Sequence, residues 1–85
     1  MVFKNLIEKS NKRRQKLEEI SRECDISTSS LNDIFTEISL TMNYFTDEEI
    51  LEIIEYKFFG KEINLPRYTE VHDKVVNRII NKELK

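Results

Sequence analysis

A single glycine, Gly60, and a single proline, Pro66, lie six residues apart in a chain of 85. Elsewhere the backbone lacks both the residue that turns most readily and the one that interrupts helices. Sandwiches and barrels need a turn every few residues, so scarce turn residues argue against both. The charged fraction is 35%, well above the usual figure of about 25%. Many charges and few turns predict an all-α chain. At 85 residues it makes one small domain, of a size that buries roughly 60–65% of its unfolded surface and leaves little for a deep substrate pocket. One cysteine, Cys24, excludes an internal disulfide and a multi-cysteine zinc site. The longest apolar runs are two or three residues, too short for a membrane span or a signal-peptide core. The expectation is an intracellular, cytoplasmic protein.

Apolar spacing places the helices. Leu6 precedes a stretch from Glu8 to Lys16 with no apolar residue, and Leu17, Ile20 and Cys24 then resume at helical spacing. One helix over residues 3–24 fits, and so do two helices meeting near Asn11–Arg14. The run from Asp25 to Ser30 favours a turn and a cap, with Ser27 or Thr28 as N-cap. Leu31, Ile34, Phe35, Ile38 and Met42 mark one face of a second helix. Thr46 with Glu49 forms a capping box for the next, Phe45 is placed to staple onto Ile50, and Asp47, Glu48 and Glu49 suit its positive N-terminal end. Gly60 suits its C-terminal stop. Pro66 is expected at the first position of a last helix, whose buried face reads Tyr68, Val71, Val75, Val76, Ile79 and Ile80. The whole is a four- or five-helix single domain over residues 1–85, with a helix–turn–helix-like N-terminal half and a C-terminal helical hairpin.

Net charge is −2, but its distribution is uneven: +5 over residues 1–16, −10 over 17–56 and +3 over 57–85. Such asymmetry predicts either an electrostatic partner or pairing of the basic ends with the acidic middle. Catalytic chemistry has little to stand on. His72 is the sole histidine, with no nucleophile-elbow context around any serine, and reads as a surface or half-buried helix residue. No glycine-rich phosphate loop or calcium-binding loop is present. Cys24, at an apolar helical position, reads as a small core residue. The chain is expected to be no enzyme and to need no cofactor and no metal.

One stretch carries a mechanism. Over residues 17–35, Ile20 and Cys24 are four apart, Ser21 supplies a small residue at a helix crossing, Ile26 plugs the turn, and Leu31 and Ile34 are three apart on the inner face of the following helix. The segment Ile26-Ser27-Thr28-Ser29-Ser30-Leu31 resembles the turn and recognition-helix entry of small bacterial and phage helix–turn–helix regulators. The resemblance covers about 20 residues and implies DNA binding as a homodimer on two half-sites. Ser27, Thr28, Ser29, Ser30 and Asn32 would then face DNA, and Lys9, Lys12, Arg13, Arg14 and Lys16 would neutralise phosphates. The sequence departs from the pattern at Asp25, where glycine is usual, and in its second helix, which carries Asp33 and Glu37 but no Lys or Arg from Thr28 to Glu37. That helix would also need a separate short helix packed across it.

A protein-binding module is the competing expectation. Residues 46–59 hold more apolar side chains than one stripe needs, so Ile50, Ile53, Phe58, Phe59, Val76 and Ile80 are candidates for a partner or dimer interface. Phe45-Thr46-Asp47-Glu48 and Glu62-Ile63-Asn64-Leu65 resemble the Sda helical hairpin, which inhibits sporulation histidine kinases, although the loop spacing differs and the apolar positions after Leu65 are out of register. That likeness implies action by capping a partner protein.

Overall fold

A computed structural model of the chain describes residues 2–84, with side chains from Asn11 onward. Four helices follow one another: α1 (Val2–Cys24), α2 (Thr28–Thr41), α3 (Asp47–Phe59) and α4 (Glu70–Glu83). The first segment is one continuous helix of 23 residues. Its polar middle is rich in Lys, Arg and Gln, all good helix formers, and holds no breaker. The predicted side-chain positions of Leu6 and Lys9 lie outside the described residues.

Each helix stops for a local reason. Asp25 takes the left-handed conformation (φ 54°), and the Ile26 N–H donates to the Ser21 carbonyl at 3.2 Å, closing α1. Two residues later the Ser27 Oγ accepts from the Ser30 N–H at 3.1 Å and caps α2. The Thr46–Glu49 capping box is present at 2.9 and 3.2 Å, and Phe45 and Ile50 are both buried, as a staple between them requires. Gly60 closes α3 at φ 69°, a conformation any side chain would strain.

The start of α4 differs from expectation. Pro66 is not its first residue. It sits second in a β-turn whose Tyr68 N–H donates to the Leu65 carbonyl at 3.0 Å, a position its fixed φ also suits. The helix begins four residues later, at Glu70, after Thr69. This delay leaves Tyr68 in the connection, half-buried, and turns Val71 outward at 70% exposure, so Val71 is a surface residue and not a core one.

Helix α2 is central and packs against α1, α3 and α4, while α1 also packs on α3. The core joins Leu17 and Ile20 of α1, Leu31, Ile34, Phe35 and Ile38 of α2, Met42 and Phe45 of the α2–α3 turn, Ile50, Leu51, Ile53 and Ile54 of α3, and Val76 and Ile79 of α4. Cys24, Ile26, Phe58, Phe59, Val75 and Ile80 pack around it, partly buried. Three predicted interface residues are therefore corrected. Ile50, Ile53 and Val76 are each 0% exposed. Helix α3 packs on both α1 and α2, which cover Ile50 and Ile53, while Phe58, Phe59 and Ile80 stay partly exposed.

Candidate interaction surfaces

The turn between α1 and α2 uses its polar side chains internally. The Ser21 Oγ donates to the Ile26 carbonyl, and the Thr28 Oγ1 donates to the Ser21 Oγ at 3.2 Å. The Ser27 Oγ donates to the Ser30 Oγ at 2.8 Å. Leu31 and Ile34 are fully buried, and Ile26 packs against the core. Three of the four hydroxyls expected to face DNA (Ser27, Thr28 and Ser30) thus hold the turn, while Ser29 and Asn32 remain exposed beside Asp33. In place of a separate short helix across the motif, the structure has the N-terminal extension of α1.

Bases and acids also meet within the chain. Arg13 lies 3.9 Å from Asp47, with its guanidinium 5.1 Å above the Phe35 ring, and Lys16 lies 3.5 Å from Glu55. These pairs cross an open groove of about 860 Å³ between α1 and α3, whose lining includes Lys12, Arg13 and Lys16 opposite Asp47, Glu48, Glu52 and Glu55. Arg14 is exposed and, among the described residues, has no ion-pair partner. Helical spacing sets it on the opposite flank, seven residues before Ser21. Lys12 and Lys16 therefore face the α3 carboxylates across this groove, and Arg14 lies on the flank of Ser21 and the α1–α2 turn.

Along α3, Glu49, Glu52 and Glu55 recur every third residue and hold the 60–69 connection. Arg67 makes a two-oxygen contact with Glu49 at 2.8 and 3.0 Å, and its guanidinium lies 5.1 Å from the Phe45 ring. The Asn64 N–H donates to Glu52 at 3.3 Å, and Lys61 reaches Glu55 at 2.7 Å. The Thr46 backbone and Arg67 lower the Glu49 pKa below the ordinary carboxylate value. Burial raises the Glu55 pKa, but Lys61 and Lys16 outweigh it and leave it lowered. Four acids of the middle, Glu37, Asp47, Glu49 and Glu55, are thus paired with bases from the chain's own ends.

The first turn of α4 is tied at two points. Lys57 and the Tyr68 hydroxyl both reach Asp73 Oδ1, which lowers the Asp73 pKa, Lys57 contributing most. Burial and the neighbouring carboxylate raise the Tyr68 pKa. On the α2 side, His72 Nδ1 accepts from the Thr69 N–H at 3.0 Å, so its Nε2 carries the proton of the neutral ring and donates to the Tyr44 hydroxyl oxygen. His72 also packs edge-on against Phe45 at 5.4 Å. Its role as the third residue of α4, reaching back to cap the helix, is one that sequence reasoning missed. The signal was present as Thr69 three residues before a side chain able to accept a hydrogen bond.

Contacts between Tyr44 and His72, and between Glu37 and Lys82 at 3.1 Å, set α2 and α4 antiparallel. Leu40 lies between Glu37 and Tyr44 in the chain, and Val71 adjoins His72. On that register Tyr44 and Val71 lie at one end of the α2/α4 seam and Leu40 lies one turn before Tyr44 on α2, at 52, 70 and 76% exposure. Beside them, the outer face of α4 carries Lys74, Asn77, Arg78, Asn81 and Lys82 around a shallow depression of about 480 Å³. Among the described residues, Lys74 and Arg78 make no ion pair. No described helix is long and apolar enough to cross a membrane. Comparison with family models, curated proteins and solved structures finds no match for this chain.

Proposed function

We propose that this chain is a non-enzymatic regulatory protein that docks a protein partner on the α2/α4 seam. The exposure of Leu40, Tyr44 and Val71 along that seam carries the reading. Most other large apolar side chains of the described residues are at least half covered. Burying an exposed leucine or valine against a partner is worth about 1.5–3 kcal/mol, enough for a few such side chains to anchor a small interface. The test places a photo-crosslinking amino acid at position 40, 71 or 18 in the cells that make the protein. Protein adducts are expected from 40 and 71 and not from Glu18, an exposed α1 position. Adducts of equal yield at all three positions, or none at 40 and 71, overturn the proposal.

The left-handed Asp25 and the plug at Ile26 favour a second reading, DNA binding through the helix–turn–helix-like segment. Its measurement is fluorescence anisotropy with mixed-sequence duplex at about 50 and about 200 mM salt, an interval over which several phosphate contacts cost several tenfolds of affinity. Binding that behaves so, and is lost on Arg13→Ala with Arg14→Ala, would establish it. The docking reading expects none.

A further inference from the structure

We infer that the partner on the α2/α4 seam is an acidic amphipathic segment, whose apolar side chains cover Leu40, Tyr44 and Val71 and whose carboxylates reach Lys74 and Arg78. This rests on the docking reading and adds the chemistry of the occupant.

Helical spacing carries the argument. Val71, Val75 and Arg78 are four and three residues apart, so they share one flank of α4, with Lys74 one position from Val75 on the solvent side. Val75 is half-buried, Lys74 and Arg78 are exposed, and neither base has an ion-pair partner among the described residues. Lys82, one turn further on, is already held by Glu37. The seam thus has exposed apolar side chains and, on α4, two bases with no ion-pair partner among the described residues, with the exposed Glu70 one turn before Lys74. On the α2 side the charges are Asp33 and Glu37, with Glu83 of α4 close by. Glu83 is raised above the ordinary carboxylate value by its hydrogen bond with Glu37, and Asp33 adds to the rise. Its carboxylates are drawn toward Lys74 and Arg78 and away from Asp33 and Glu37, while its apolar side chains reach across to Leu40 and Tyr44.

The other occupants fit less well. Duplex or single-stranded nucleic acid would gain from Lys74 and Arg78 but nothing from Leu40 and Val71, and would meet Asp33 and Glu37. A second copy related by a two-fold axis brings the same face to itself, so wherever the axis passes close to Lys74 and Arg78 these meet their own counterparts.

Two synthetic helical peptides test the inference. Both carry a leucine stripe, flanked by glutamate in one and by lysine in the other, and binding to the purified full chain is read by anisotropy. The glutamate peptide is expected to bind roughly tenfold tighter, the scale of two partly exposed ion pairs. Lys74→Glu with Arg78→Glu reverses that order, while Leu40→Ser with Val71→Ser weakens both peptides alike. All four positions are exposed, and unchanged helical circular dichroism shows that each variant folds. Equal binding of the two peptides, binding of neither, or an order unmoved by the charge reversal overturns the inference. So does displacement of the glutamate peptide by a 20-base-pair duplex, or a dimer in sedimentation at the concentrations used. Photo-adducts at positions 40 and 71 that persist when the charge order fails leave docking intact and remove the acidic partner. Loss of those adducts removes both.

Discussion

Helices α2 and α4 are each 14 residues long and lie antiparallel against one another, yet they differ in what they bury. Helix α2 closes Leu31, Ile34, Phe35 and Ile38 into the core and touches all three other helices. Helix α4 buries Val76 and Ile79 and has α2 as its helix neighbour. The difference follows from position. A helix with neighbours on several sides commits a wide apolar face to them, whereas a peripheral one needs a narrow stripe and keeps the rest for solvent or a partner. Exposed apolar side chains and bases without an ion-pair partner accordingly gather on α4 and along its seam with α2.

The largest expected effect is on the central helix. Ile34→Ala should cost about 2–5 kcal/mol, read as a shift of the urea midpoint, and should lower protection against hydrogen exchange in all four helices alike. Val76→Ala should cost less, about 2 kcal/mol for two buried methyl groups, and should deprotect α4 amides before those of α2. Equal loss of protection in both helices after Val76→Ala would break the distinction between a central and a peripheral element.

The tie of α4 to its own start can be sharpened next. His72→Ala removes the acceptor of the Thr69 N–H and should cost about 1 kcal/mol, whereas His72→Gln, with a side chain able to cap from the same position, should recover most of it. Identical losses in the two variants would assign His72 to packing against Phe45 instead.

The smallest effect is in pH dependence. Asp73 and Glu49 have folded-state pKa values below their ordinary ones, Lys57 being the main cause for the first and the Thr46 backbone for the second. A depressed folded-state value means stability that is present above the unfolded-state pKa and lost as pH falls through the folded one. Thermal unfolding should therefore stay flat across neutral pH and decline below about pH 4. Asp73→Asn should make that acid decline shallower while lowering stability at pH 7. A steeper acid decline in the variant would show that Asp73 does not report the docking of α4.

Local rules carried much of the fold. The Thr46–Glu49 box, the Ser27 cap, the Gly60 stop and the apolar spacing of α2 depend on residues within one turn of each other, so they could be read from neighbours in the chain. Pro66 misled because two local solutions compete for it: the first position of a helix and the second position of a β-turn both suit its fixed φ. The chain takes the β-turn, and the ion pair of Glu49 with Arg67 lies beside it.

The candidate surfaces were legible only in part. The sequence by itself determined that this is an all-α chain with a tight turn at 25–27, basic ends and an acidic middle, because composition, capping and helical period act over a few residues. Only the tertiary structure decided that α1 is continuous, that Ile50, Ile53 and Val76 are interior, that the acids of α3 hold the chain's own bases, and that Leu40, Tyr44 and Val71 share a seam. Each of these depends on which helix lies beside which. An apolar residue carries no mark of whether the neighbour that covers it belongs to its own chain or to a partner.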